Sequence, residues 1–119
     1  MAEESVKNPL PACPATPNCV RTTENFKHGI EQVFASLIQL LEQQAHSFEV
    51  TDPKRIQIHA VYRIPVFGFK DDVDIILEEA EDGSSSILYI RSASRLGAYD
   101  LGVNKRRVKR LVSELHERL

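Results

Sequence analysis

The stretch DDVDIILEEAEDGSSSILYIRSAS, residues 71–94, decides the fold. Its first part, DDVDIILEEA, sets Val73, Ile75 and Leu77 on one side and Asp72, Asp74 and Glu78 on the other. A period of two with one apolar side is the pattern of a half-buried β-strand. Asp82-Gly83 follows as a hairpin signal, because these residue types reach the positive φ values that tight hairpin turns require. SILYIRSAS then returns as the partner strand, with Leu88 and Ile90 on its apolar side. If Asp82 and Gly83 form the loop, Asp74 falls opposite Arg91 on the polar face. A directly opposed pair of unlike charges contributes about 0.2–1 kcal/mol there.

Working outward, RIQIHAVYRI (55–64) also alternates, with Ile56, Ile58, Ala60, Tyr62 and Ile64 against Gln57, His59, Val61 and Arg63. HSFEVT (46–51) reads as a shorter strand, TDPK (51–54) as a turn and PVFGF (65–69) as an apolar connection. Beyond the strands the period changes. In TENFKHGIEQVFASLIQLLEQQA (23–45), Phe26, Ile30, Val33, Phe34, Leu37, Leu40 and Leu41 recur at spacings of three and four, which predicts an amphipathic helix with Thr23 as N-cap. Gly29 inside it would cost about 1 kcal/mol relative to Ala. NKRRVKRLVSELHERL (104–119) predicts a second helix, with Val108, Leu111, Val112, Leu115 and Leu119 as its stripe and Asn104, after Gly102, as its N-cap.

Short strand connections imply an antiparallel meander. The expected fold is therefore α+β: a four-stranded antiparallel sheet with two helices packed on one face, in the order α-β-β-β-β-α. The helices would cover the face bearing Val73, Ile75, Leu77, Leu88 and Ile90. Residues 1–22 hold Pro9, Pro11, Pro14 and Pro17 and read as an irregular arm, leaving 23–119 as the domain.

A chain of 119 residues, 42% hydrophobic and 27% charged, suits one ordinary globular domain. A net charge of −2 argues against a protein built mainly for nucleic acid. No run approaches the roughly 18 apolar residues of a membrane span. The start, MAEESVKNPL, is polar and acidic, so it is no secretory signal. As written the chain reads as cytoplasmic; a mature or truncated form of an exported or organellar protein would look the same.

The net charge conceals a polarity. Residues 71–82 carry seven acids and no base, whereas residues 91–110, RSASRLGAYDLGVNKRRVKR, carry seven bases and one acid. Lys105, Arg106 and Arg107 fall at the predicted start of the second helix, where cations oppose the helix dipole and free N–H groups favour an anion. The expected ligand site is Arg91, Ser92, Ser94, Arg95, Asp100, Asn104, Arg106 and Arg107. The arginines would supply charge, the serines hydrogen bonds, and Asp100 and Asn104 the loop geometry. The competing interpretation is that these cations are solvated or paired with the acidic strand.

Nucleic acid is the weaker partner, because KRRVKR has no aromatic platform beside it, and RLGAYDLG matches no phosphate-binding loop. Asp71 and Asp72 point to opposite faces of a strand and do not form an acid–base pair. His28, His46, His59 and His116 stand in no recognisable motif. The sequence nominates no catalytic residue, metal site or cofactor.

Three segments in order, CPATPNCV (13–20), FKDDVDI (69–75) and IRSASRLGAYDLGVNKRRV (90–108), resemble the signature of the DUF1499 family, a domain of unknown function. The resemblance spans roughly residues 11–115. By position it covers Cys13, Pro14, Pro17, Asn18, Cys19, Asp71, Asp72, Arg91, Ser92, Ser94, Arg95, Gly97, Asp100, Gly102, Asn104 and Arg107. It implies a fold and a shared set of positions but no activity, and similar proteins often carry export or organelle-targeting segments. Cys13 and Cys19 would form a disulfide in an oxidising compartment, contributing about 2–3 kcal/mol, and would remain thiols in the cytosol. The functional expectation is a non-enzymatic module for an anionic small molecule or an acidic partner segment. The alternatives are a structural or protein-interaction domain with no ligand, and an enzyme of unknown type.

Overall fold

The computed structural model describes residues 8–15, 18–52, 56–64, 68–95 and 102–119. The chain runs β1 (Cys19–Phe26), α1 (Ile30–Gln44), β2 (Ser47–Asp52), β3 (Ile56–Arg63), β4 (Lys70–Glu79), β5 (Ser86–Ser94) and α2 (Val103–Arg118). All strand pairs are antiparallel, in the order β1-β5-β4-β3-β2. The last four strands form the expected meander. The sheet has five strands rather than four, because β1 adds to the free edge of β5, and α1 then carries the chain across to the opposite edge.

Residues 23–26 are therefore strand, not the first turn of a helix. Phe26 is buried in either arrangement, and its spacing to Ile30 mimics a helical stripe. Pairing with β5 from Cys19↔Ala93 to Phe26↔Ser86 wins over that local pattern. Gly29, expected inside the helix, is the N-cap of α1 with extended backbone (φ −63°, ψ 153°). At the second helix the N-cap is Gly102, not Asn104. Gly102 has φ 78°, a left-handed conformation that a residue with a Cβ adopts only at a cost.

The β4–β5 register matches the expectation, with Asp74 opposite Arg91. The loop is wider than two residues: the Ala80 N–H donates to the Ser85 carbonyl (2.9 Å) and the Gly83 N–H to the Ala80 carbonyl (3.0 Å). Asp82 Oδ1 accepts from the N–H groups of Ser84 and Ser85, each at 2.9 Å. These bonds hold the Asp82 carboxyl below its ordinary value.

Both helices pack on one face. Leu37, Leu40 and Leu41 from α1 and Leu111, Val112 and Leu115 from α2 join Ile58, Ala60, Val73, Ile75, Leu77, Leu88 and Ile90 in one core. A second, smaller cluster lies on the other face, where Leu10 packs with Ile76, Tyr89 and Ile87. The N-terminal arm thus covers part of that face. It is tied to β1 by Asn8 Nδ2 donating to the Thr22 carbonyl (3.0 Å) and by Arg21 Nη1 donating to the Leu10 carbonyl (2.8 Å). A disulfide joins Cys13 to Cys19, the first residue of β1.

Candidate functional site

Antiparallel pairing brings the start of β4, the end of β5, the start of α2 and the end of α1 to one end of the molecule. Asp71 and Asp72 sit there on opposite faces of β4, and each meets one arginine.

On the helix-covered face, Arg107 reaches from α2 to Asp71, with Nη1 at 2.7 Å from Oδ2. Asp71 is 1% exposed and Arg107 11%. Neither oxygen of Asp71 accepts a directed hydrogen bond despite that short distance. The contact is coulombic, and the Nη1 hydrogens are directed instead to Asn104 Oδ1 (2.9 Å) and Ser92 Oγ (3.3 Å).

Asn104 is fully buried and organises this end. Its Oδ1 also accepts from Ser92 Oγ (2.5 Å), and its Nδ2 donates to Ser94 Oγ (2.9 Å) and to the Asn18 carbonyl (3.1 Å). That carbonyl accepts from the Ser94 N–H as well (3.0 Å). Asn104 therefore uses both donors and both acceptor positions to join the arm, β5 and α2.

Outside this knot a pocket of about 530 Å³ opens between the helices, lined by Gln43, Gln44, Tyr62, Val103, Arg106, Arg107 and Arg110. The Arg107 guanidinium lies over the Tyr62 ring, 4.8 Å from its centroid. Burial pushes the Tyr62 phenol up to about 12, against the pull of Arg107, so it stays protonated. Its hydroxyl donates to Gln44 Oε1 at 3.4 Å, and Gln44 Nε2 donates to Glu114 Oε2 at 2.9 Å. Glu114 also pairs with Arg110, at 2.6 Å.

The opposite face has a different constellation. Arg95 grips Asp72 through Nε (3.1 and 3.0 Å) and Nη2 (2.9 Å), and this raises the arginine's proton affinity further. His59 lies between two carboxylates, with Nδ1 at 2.7 Å from Asp74 and Nε2 at 3.3 Å from Asp72. The expected cross-strand pair of Asp74 with Arg91 gives way to this histidine, which stands opposite Asp74 on the neighbouring β3. Arg91 Nε is buried without a hydrogen-bond partner.

The eight expected site residues thus divide. Ser92, Ser94, Asn104 and Arg107 converge, Arg106 lines the adjoining pocket, Arg91 and Arg95 belong to the far face, and Asp100 lies outside the described residues. Sequence reasoning misses Gln43, Gln44, Tyr62 and Arg110 as pocket residues. Arg110 lies in the basic run, but nothing in the sequence announces that the end of α1 meets the start of α2. Among the described residues no group of three or more His, Cys, Asp or Glu is placed to hold a metal. Nor is any helix among them long and apolar enough to cross a membrane.

The fold and this end of the molecule define a small α+β domain whose polar motifs meet where the arm, the sheet and the second helix join. The chain belongs to the family described as protein of unknown function DUF1499, which matches residues 9–115. No curated protein matches it. Solved structures that are similar in part include an uncharacterised protein from Bacillus thuringiensis, at 13% identity and TM-score 0.44, covering 85% of this chain and 95% of that one. The protein TTHA0849 from Thermus thermophilus has 14% identity and TM-score 0.39, covering 84% and 95%. A START superfamily protein from Mycobacterium smegmatis has 15% identity and TM-score 0.36, covering 84% and 90%. Likenesses this loose carry no argument about function.

Proposed function

We propose that the domain is a non-enzymatic module that binds a small anionic molecule in the pocket between α1 and α2. The observation that carries this reading is the lining of that pocket by Arg106, Arg107 and Arg110. Arg107 commits Nη1 to Asp71, Ser92 and Asn104. Its Nε and Nη2 make no hydrogen bond to the described residues and are not among the buried unpaired atoms. That edge of the guanidinium suits two oxygens of a carboxylate or phosphate. The amides of Gln43 and Gln44 offer further donors, while the single Tyr62 hydroxyl proton is already directed to Gln44 Oε1. Cations at the start of a helix oppose its dipole, and a bound anion would relieve their repulsion. On this reading Ser92, Ser94 and Asn104 position Arg107 rather than touch the ligand, and Arg91 and Arg95 take no part.

The test is a thermal-shift series with inorganic phosphate, sulfate and small dicarboxylates. Wild type should show a saturable rise, about 2.7 kcal/mol at 100 times the dissociation constant. An Arg106→Ala/Arg110→Ala variant that remains folded should lose it. No shift with any of these anions would sink the reading.

A second reading, a structural or protein-interaction domain without a ligand, is favoured by the four satisfied hydrogen bonds of Asn104. They suffice to explain Asn18, Ser92, Ser94 and Asn104 as elements of folding.

A further inference from the structure

The side chains around the pocket between α1 and α2 turn donors into it. Gln43 Oε1 accepts from Arg118 Nη2 at 3.1 Å. A guanidinium only donates, so the orientation of that amide is fixed and its oxygen is engaged. Gln44 Nε2 donates to Glu114 Oε2 at 2.9 Å, and an ionised carboxylate only accepts. The Gln44 oxygen therefore turns to Tyr62 and receives the hydroxyl proton at 3.4 Å. What remains is mostly N–H: both hydrogens of Gln43 Nε2, the second of Gln44 Nε2, and the Nε and Nη2 edge of Arg107. The Nη groups of Arg110 also bind none of the described residues, since only its Nε is held by Glu114. Among the lining side chains, the acceptors left over are second lone pairs on oxygens that already take part in a hydrogen bond. A donor-rich wall calls for an acceptor-rich ligand.

Charge then separates the acceptor-rich ligands. No carboxylate lines the pocket, but two of its three arginines bring one with them. Asp71 lies 2.7 Å from Arg107, and Glu114 lies 2.6 Å from Arg110. One anionic group suits the open edge of Arg107. A second full negative charge, placed toward α1, would come up against Glu114, which Arg110 and Gln44 already hold. The amides on that side offer hydrogen bonds without charge, and a neutral oxygen is the partner that suits them. Size points the same way. A pocket of about 530 Å³ has the dimensions of a site for an organic molecule, and one inorganic ion would fill little of it. Val103 and the Tyr62 ring supply an apolar wall for a carbon chain.

We propose that the pocket takes an organic monocarboxylate that carries a second, uncharged carbonyl oxygen, the chemistry of oxo acids and acylated amino acids. The carboxylate meets Nε and Nη2 of Arg107, the chain lies along Val103 and the Tyr62 ring, and the carbonyl accepts from the amides of Gln43 and Gln44. This assignment rests on the anion-binding reading of the same pocket and narrows it from any small anion to one charge plus one neutral acceptor.

Three probes of equal chain length separate these contributions. Levulinate has a carboxylate and a ketone, pentanoate has the carboxylate alone, and glutarate has a carboxylate at each end. Their dissociation constants are measured on the wild-type protein by calorimetry, with inorganic phosphate run beside them. Levulinate should bind about fivefold more tightly than pentanoate, as one neutral hydrogen bond provides. It should also bind more tightly than glutarate. Gln43 is exposed on α1, so Gln43→Leu should keep the fold and shrink the advantage of levulinate over pentanoate. If that variant does not fold, the wild-type comparison decides without it. Equal binding of levulinate and pentanoate, or tightest binding of glutarate, overturns the proposal and leaves the anion-binding reading standing. Binding of phosphate without binding of levulinate does the same. Binding of none of the four removes both.

Discussion

Asp71 and Asp72 are neighbours in the chain, and each is held by an arginine, yet the two pairs live in different solvents. Asp71 and Arg107 meet under the helices at 1% and 11% exposure, whereas Asp72 and Arg95 meet on the open face at 30% and 44%. The outer pair has the better hydrogen bonds, with Arg95 donating to both carboxylate oxygens. The inner pair has the poorer ones, since Asp71 accepts no directed bond. Burial reverses the ranking that hydrogen-bond geometry alone would suggest. A charge taken out of water depends on its one partner, while an exposed charge has water as an alternative.

The largest expected effect follows from that dependence. Arg107→Ala leaves a buried carboxylate uncompensated and also removes a donor from Asn104 and Ser92. It should lower unfolding free energy by about 3–5 kcal/mol in urea titrations. Arg107→Lys should recover only part, because the shorter side chain does not carry its ammonium to the Nη1 position that meets Asp71, Ser92 and Asn104, and it has no planar group to lie over Tyr62. Replacing Asp71 by Asn in the Arg107→Ala background should restore stability, since the orphaned charge is gone. A double variant no better than Arg107→Ala would show that the loss comes from the hydrogen bonds and not from the charge.

Tyr62 sharpens the same contrast, because it reports how dry the inner side is. Its folded-state pKa is about 12, against 10.0 for an unperturbed phenol. A raised value means that the folded protein keeps a proton the unfolded chain has already lost. The stabilising contribution is whole below pH 10 and disappears as the pH rises to about 12. Within that window stability should fall by about 1.4 kcal/mol per pH unit from this group alone. Comparing wild type with Tyr62→Phe by denaturant unfolding isolates the effect. If the two lose stability in parallel, the ring is wetter than its burial indicates.

The strands from β3 to β5 could be read from sequence because Ile58, Ala60, Val73, Ile75, Leu88 and Ile90 alternate against polar residues and face one core. β1 could not. Its inward residues are Val20, Thr22, Glu24 and Phe26, of which only two are apolar, and Phe26 also satisfies a helical spacing with Ile30. The strand exists because β5 offers an unpaired edge, which is a property of the assembled sheet. The candidate site was half legible for a related reason. A run of bases at a helix start is a local feature, so Arg106 and Arg107 stand out. Nothing local shows that Asp71 waits beneath Arg107, that Gln43 and Gln44 close the pocket, or that Asn104 turns inward rather than capping its helix. His59 was within reach: extending the pairing from β4 to β3 places it opposite Asp74.

The smallest expected effect is that of Arg95→Ala. Arg95 looks like the equal of Arg107 in the sequence, in the same basic segment and beside the same serines. In space it lies across the sheet from the pocket, and when it is removed Asp72 can turn to water and to His59, 3.3 Å away. Its loss should therefore move the thermal midpoint by a small fraction of the Arg107→Ala effect and leave any anion-induced shift in place. The change that does occur should shrink further in high salt, as expected for an exposed pair. A loss as large as that of Arg107→Ala would mean that Arg95 secures the chain where it leaves β5 for the start of α2. The two arginines would then act as one clamp through the sheet, and the division between a dry, structural face and a wet, replaceable one would fail at that point.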